Sequence, residues 1–208
     1  MKILYIDTSS SYLYAGIVSD DKLLCEVKKE FGHSLSEEAL PNIARLFAEK
    51  KLAAKDIDKI LVVNGPGSFT GIRIGITIAK VYAWSLNIPI ATLSALEVMA
   101  LSSSSETVHV PIINARRGYV FAAIYDQANK EMLSPRHIKL EELLQELQKQ
   151  KDYTFITNDE FEEIENIEKY NPDIEKVVNH FKNIEPINPH GVNPNYLKLT
   201  EAEESKMN

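Results

Sequence analysis

Residues 60–86 read ILVVNGPGSFTGIRIGITIAKVYAWSL, and this stretch narrows the folds open to the chain more than any other. Ile60 to Val63 is apolar, uncharged and rich in β-branched side chains, which suits a strand covered on both faces. Asn64-Gly65-Pro66-Gly67-Ser68-Phe69-Thr70-Gly71 follows as a tight loop, with glycines where the backbone must turn sharply or pass close to another segment. Ile72 to Leu86 then has the length and composition of a helix, with Ser68 or Thr70 as its N-cap. Ile72, Ile76, Ala79 and Ala83 form one apolar stripe on that helix. Ile74, Ile78, Val81 and Ser85 fill most of the opposite side beside Trp84, and only Arg73, Thr77 and Lys80 break the ring. A helix apolar nearly all round needs cover on more than one face. A sheet can supply one cover; a second helix, or a second protein, must supply the other.

The glycine loop is not a standard nucleotide motif. A P-loop requires a lysine directly after its last glycine, and Ile72 follows Gly71. A dinucleotide fingerprint has its first two glycines in Gly65 and Gly67, but Thr70 stands at the third position. Two readings stay open. The start of the helix offers N–H groups to an anion, or the glycines simply let strand turn closely into helix. The same choice arises at the N-terminus, where Lys2 to Thr8 is a buried strand running into Asp7-Thr8-Ser9-Ser10-Ser11. Asp7 with these hydroxyls suits a hydrated metal and a phosphate, or the capping of its own turn. Asp7, Thr8, Ser9, Gly65, Gly67, Ser68 and Gly71 are thus the candidates for a phosphate or nucleotide loop, if only a vestigial one.

Composition bounds the function. The 208 residues carry a net charge of -7, which opposes tight nucleic-acid binding by this chain alone and leaves room only for a local basic patch. Cys25 is the only cysteine, so neither an internal disulfide nor a cysteine zinc cluster is available. No run reaches the length of a membrane span and no signal peptide is evident, so a cytoplasmic location is expected. The histidines, at 33, 109, 137, 180 and 190, form no HExxH or comparable metal-binding pair.

In order, the first half reads as strands at Lys2 to Thr8, Tyr12 to Val18 and Lys22 to Lys28, then a helix from Ser34 to Lys50. That helix opens on a Ser34/Glu37 capping box and contains Pro41, which predicts a kink or a later start. Ile57 to Val63 returns to the sheet, the glycine loop and its helix follow, and Ile88 to Leu93 is the next strand. A Ser94/Glu97 box opens a short helix to Leu101. Ser102 to Ser105 reads as a flexible boundary, giving expected domains at 1–103 and 104–208. This βββαβαβα order is that of the acetate kinase, actin and Hsp70 superfamily, an α/β class in which two such actin-like, ribonuclease H-like modules pair. The second half starts alike, with strands at Val108 to Asn114 and Tyr119 to Asp126, the turn Ala115-Arg116-Arg117-Gly118 between them, and a third strand within Lys130 to Leu140. A helix at Leu140 to Lys149 and a strand at Tyr153 to Thr157 follow. Beyond them the pattern weakens through an acidic stretch, a helix at Ile174 to Phe181 and an extended tail from Val192 to Leu199 with a disordered end. No second glycine loop occurs, so the second module reads as truncated.

IDTSSSYLYAGIV, GHSLSEEALPNI, VVNGPGSFTGIRIGITIAKVYAWSLNIPIATLSALE, VPIINARRGYVFAAIYD and NPNYLK, in that order, resemble the TsaB (YeaZ) family. The resemblance spans nearly the whole chain and is densest from Asn64 to Glu97; Asn114 departs from the family's usual aspartate. It implies a part in making N6-threonylcarbamoyladenosine at adenosine 37 of ANN-decoding tRNAs, as a non-catalytic scaffold for the TsaD-type transferase. Proteins of the TsaD type hold a metal through two histidines one helical turn apart, whereas here His33 is followed by Glu37, and no metal is expected. The implied partners are that transferase, through paired helices, and a TsaE-type ATPase, with tRNA reached through the complex. Homodimers are implied when the partner is absent. The resemblance implies ATP or ADP with magnesium within the complex and assigns no cofactor to this chain. The helices in question are Ser34 to Lys50 and Ile72 to Leu86. Their contact candidates are Leu40, Ile43, Phe47, Arg73, Ile76, Lys80 and Trp84, each aliphatic one being equally suited to the chain's own core. Arg73 and Lys80 must meet solvent or a partner. Arg116 and Arg117 suit either a solvated turn or a phosphate. The rival readings are a small-molecule kinase or ATPase of the same superfamily, which would need a second phosphate loop, and a glycoprotease-like metallopeptidase, which would need metal ligands.

Overall fold

The structure is a computed structural model that describes residues 1–197. It divides into two units, one of Met1–Val98 with Pro172–Pro194, the other of Met99–Asn171 with the described residues after Pro194.

The first unit is built on β1 (Lys2–Asp7), β2 (Tyr12–Ser19), β3 (Lys22–Glu30), β4 (Lys59–Val63) and β5 (Ile90–Leu93), in the order β3-β2-β1-β4-β5. The first three strands are an antiparallel meander; β4 and β5 add to β1 in parallel. β1 and β4 are buried along almost their whole length, as expected of strands covered on both faces. Edge strand β3 instead exposes Lys22, Glu26, Lys28, Lys29 and Glu30 or leaves them half-covered, and charge on an edge discourages pairing with another chain.

Helices α1 (Leu35–Lys50) and α2 (Phe69–Leu86) pack on each other; α1 lies on β2 and β3, and α2 on β4 and β1. Leu4, Ile6, Leu13, Ala15, Ile17, Ile60 and Val62 point toward them, meeting Ile43, Leu46, Ile72, Ile76 and Ala79. The opposite face receives α5 (Ile174–Phe181). Gly16, out of phase with Ala15 and Ile17, is the contact point: a Cβ there would stand 3.1 Å from the Ile174 side chain. Glu175 accepts the Leu23 N–H at 2.7 Å, Asn179 donates to the Asp21 carbonyl, and Lys182 pairs with Asp21 at 2.6 Å. Residues 172–194 therefore belong to the first unit, although a boundary at 103/104 would assign them to the second. Amphipathic spacing shows that α5 must bury Ile174, Val177, Val178 and Phe181 but not against which sheet. The expected extended tail is likewise anchored at its start, where Val192 is buried in the first core; its end lies outside the described residues.

Neither expected capping box forms. Ser34 turns its hydroxyl back to the Phe31 carbonyl, 2.8 Å away, and Ser94 Oγ is buried with no hydrogen-bond partner. Pro41 sits within one continuous α1 that starts at Leu35, so the helix does not begin late.

The second unit contains α3 (Ala95–Ser102) only from Met99 on. Its sheet is built on β6 (Val108–Asn114), β7 (Tyr119–Tyr125), β8 (Glu131–Lys139), β9 (Tyr153–Ile156) and β10 (Ile167–Glu168), ordered β10-β9-β6-β7-β8. The scheme is the same: an antiparallel meander extended by two parallel strands. Helix α4 (Leu140–Leu147) sets Leu140, Leu143 and Leu147 on Val110, Ile112, Val120 and Ala122. Truncation takes a concrete form. β10 has two residues, and bends and irregular chain rather than a helix connect it to β9.

The serines expected to be a flexible boundary are instead bonded. Ser103 Oγ donates to Glu168 at 2.5 Å, Ser104 gives the same carboxylate its N–H and its hydroxyl at 3.0 Å each, and Ser105 shares its hydroxyl with Thr107 and Thr154. Burial pushes the Glu168 pKa up, but the Ser103 and Ser104 hydrogen bonds outweigh it and hold the group below the usual carboxylate range. A depressed folded pKa contributes stability above the unfolded value that is lost as pH falls through the folded one. Glu168→Gln is expected to melt below the wild type at neutral pH, with the gap closing as the pH drops below about 4. Thermal melts across that range check it, and a gap that persists in acid would refute the linkage.

Candidate partner-binding face and glycine junction

The structure brings all seven loop candidates together, but as a closed junction. The Asp7 carboxylate is 1% exposed; its Oδ1 accepts the Ser9 N–H at 2.8 Å and the Ser9 hydroxyl at 2.7 Å, and Tyr5 OH lies 3.4 Å from Oδ2. Thr8 Oγ1 donates to the Gly71 carbonyl at 2.7 Å. Ser68 donates its N–H to the Ser9 carbonyl at 2.7 Å, and its hydroxyl caps α2 by accepting the Gly71 N–H at 3.2 Å. Gly65 turns the chain at φ 116°, and its carbonyl accepts the Ala95 N–H. A Cβ at Gly67 would stand 2.2 Å from the Ser9 carbonyl oxygen, one at Gly71 2.1 Å from that of Thr8, and one at Gly75 2.4 Å from Thr8 Oγ1. The turn after β1 therefore lies directly on the start of α2. Two of the N–H groups at this helix start, those of Ser68 and Gly71, are already bonded. The residues do not fit a nucleotide with magnesium. Of the two readings that the sequence leaves open, the close strand-to-helix turn describes this loop.

The contact candidates separate by burial. Ile43, Phe47 and Ile76 are in the core of the first unit at 0%, 7% and 5% exposure, which corrects their candidacy as surface contacts. They lie on the sheet-facing sides of α1 and α2, and helical spacing alone does not say which apolar side turns inward. Leu40 and Trp84 are at the surface, 48% and 68% exposed. Lys80 is held within the chain: its ammonium donates to the carbonyls of Val192 at 3.1 Å and His190 at 3.4 Å. Residues 182–194 form a strap along this side of the unit. Lys59 holds the Lys182 and Ile184 carbonyls, Ile187 N–H bonds to the Ile90 carbonyl at 2.8 Å, and Asn64 holds the Asn193 carbonyl at 3.1 Å. Arg73 lays its guanidinium over the Phe69 ring, 3.5 Å from the centroid, one helical turn away.

Between α1 and α2 runs a groove of about 470 Å³ lined by Ser36, Leu40, Phe69, Thr70, Arg73, Ile74, Thr77 and Ile78. Phe69, at 56%, and Val81, at 57%, are exposed beside it. Neither was among the sequence candidates, although the nearly complete apolar ring of α2 already required that something cover this side. Alanine at Ile43 is expected to cost about 2–5 kcal/mol of stability, whereas Trp84→Ala should change it by no more than about 0.5 kcal/mol. Urea unfolding of the two variants distinguishes core from surface.

A profile of the family described as "TsaD: tRNA N6-adenosine threonylcarbamoyltransferase" matches residues 29–174. The tRNA threonylcarbamoyladenosine biosynthesis protein TsaB of Bacillus subtilis is 33% identical, the match covering 98% of this chain and 96% of the relative. TsaB of Escherichia coli is 30% identical over 61% of this chain and 56% of its own length. YeaZ from Pseudomonas aeruginosa has a TM-score of 0.74 at 18% identity, covering 94% of this chain and 99% of that one, a likeness of fold. The 33% identity to one relative over nearly the full length of both chains, with the TsaD-family match over residues 29–174, places the chain in the TsaB (YeaZ) family, related to the TsaD transferases.

Proposed function

We propose that this protein serves N6-threonylcarbamoyladenosine formation on tRNA as a scaffold that docks on a TsaD-type transferase and holds it in its competent conformation. The observation that carries the reading is the α1–α2 groove, lined by the exposed Leu40 and Phe69, with Val81 and Trp84 exposed farther along α2. Solvated helices do not ordinarily present so many large apolar side chains on one side, and such a patch marks an interaction surface. The names of the relatives supply the pathway. A scaffold acts on rate only by binding the active form of its partner better than the inactive one. The same patch, left uncovered, pairs two copies of this chain, and a TsaE-type ATPase joins the assembled complex. A freestanding kinase or ATPase is disfavoured by the closed glycine junction. A metallopeptidase is disfavoured because, among the described residues, no three His, Cys, Asp or Glu side chains converge as a metal site would need.

Co-purification with the organism's own TsaD-type protein tests the reading. The wild type should form a stoichiometric complex, and the folded variant Leu40→Asp, Trp84→Ala should not. Equal recovery of both would show that the α1–α2 face is not the interface.

A further inference from the structure

The second unit carries a patch that the scaffold role does not use. β7 turns Val120, Ala122 and Ile124 toward α4, so Tyr119 and Phe121 point to the other face. His137 of β8 pairs in register with Phe121, and Lys139 with Tyr119, which places both on that same face. The Tyr119 and His137 rings are stacked, 4.6 Å apart and 8° from parallel, with Phe121 tilted against His137 at 5.4 Å. All three rings are half-buried. At the tip of the β6–β7 hairpin, Arg116 and Arg117 are exposed in left-handed conformations, at φ 67° and 55°. Two consecutive arginines are a costly choice there, since glycine or asparagine would fit without strain. None of the ion pairs among the described residues involves Arg116, Arg117 or Lys139. Asp159, at the base of the hairpin, accepts the Asn114 N–H at 2.7 Å.

We infer that this face is a stacking platform for unpaired nucleotides of RNA, with Tyr119, His137 and Phe121 receiving a base and Arg116, Arg117 and Lys139 the adjoining phosphates. Aromatic rings on a sheet face, flanked by cations, are how a sheet holds single-stranded RNA, and here the half-buried ring edges at the hairpin end of the face would receive the base. Planar guanidinium groups suit phosphate oxygens. An acidic peptide would be drawn by the same cations but makes no use of the ring ledge. The net charge of -7 makes the contact weak and auxiliary, one that adds to whatever the transferase holds. The inference rests on the reading that tRNA is the substrate of the complex.

The test uses the full chain at low ionic strength, with a labelled single-stranded RNA and the same strand annealed into a duplex, read by fluorescence anisotropy. The single strand should bind better than the duplex. Tyr119→Ala should weaken that binding roughly five- to a hundredfold, and Tyr119→Phe should keep it. Arg117→Gly should weaken it and flatten the salt dependence by about 0.7 in the log–log slope, without lowering the melting temperature, because glycine accepts the left-handed backbone. Single strand and duplex binding alike, no response to Tyr119→Ala, or no binding of either RNA overturns the inference. So does an acidic peptide that binds more tightly than RNA and loses that binding in Arg117→Gly. Co-purification of these variants with the transferase separates the two proposals. Failure to dock with RNA binding intact defeats the scaffold reading alone. Docking intact with RNA binding indifferent to the variants defeats this one alone.

Discussion

Gly71→Ala is expected to destabilise the first unit by about 3 kcal/mol or more, at the top of the range for inserting a methyl group into a tight site. The added carbon would stand 2.1 Å from the Thr8 carbonyl oxygen, 3.2 Å from that of Ser10 and 3.2 Å from Ser68 Cβ. The closest neighbour is backbone, in the turn directly after β1, so it cannot swing aside as a side-chain tip would. Thr8 also hydrogen-bonds to the Gly71 carbonyl, and any retreat of the turn would strain that bond. In a chain of this size such a loss lowers the melting temperature by about 6–12 °C. Gly191→Ala is the control. No atom lies within 4 Å of a Cβ at that position, and the change should stay within about 0.5 kcal/mol. Thermal and urea melts of the two variants decide the matter. A tolerated Gly71→Ala would mean that the junction is open enough to admit a ligand after all.

The second large effect is expected on assembly rather than on stability. If the α1–α2 groove is the docking face, truncating a central anchor costs at least about 2 kcal/mol of binding, roughly a thirtyfold loss. Leu40→Asp adds the burial of an unpaired charge to the lost contact, so the double variant with Trp84→Ala should lose about a thousandfold. Trp84 is largely in solvent and Leu40 about half so, and the unpartnered fold should register the change only weakly. Isothermal titration with the transferase, alongside melts of the free variants, tests both halves of the expectation. Lys80→Glu is a poorer probe. It would remove two bonds to the strap carbonyls and set a carboxylate against them, so a lost complex could reflect a loosened strap.

The strand-and-helix plan was largely legible because it depends on near-neighbour chemistry. Buried strands announce themselves as short β-branched runs, and the helix ending at Leu86 by its stripe of Ile72, Ile76, Ala79 and Ala83, all of them buried. The glycines at 67 and 71 were legible as positions of close approach, but what approaches them, the Ser9 and Thr8 carbonyls, belongs to the turn after β1, some sixty residues away. Capping boxes read from Ser34 and Ser94 did not form, because local alternatives and burial claimed their hydroxyls.

From residue order alone follow the two modules of similar strand order, the shortening of the second, and a helix too apolar for a single sheet to cover. These rest on periodicity and composition, which act along the chain. Three-dimensional packing was needed to show that Ile43, Phe47 and Ile76 face inward while Leu40 and Trp84 face out, that residues 172–194 rejoin the first unit, and that the glycine loop is filled by the chain's own turn. Each depends on which distant segments meet. An amphipathic helix or a glycine states that something must lie against it, and the identity of that neighbour is decided only when the whole chain competes for the same space.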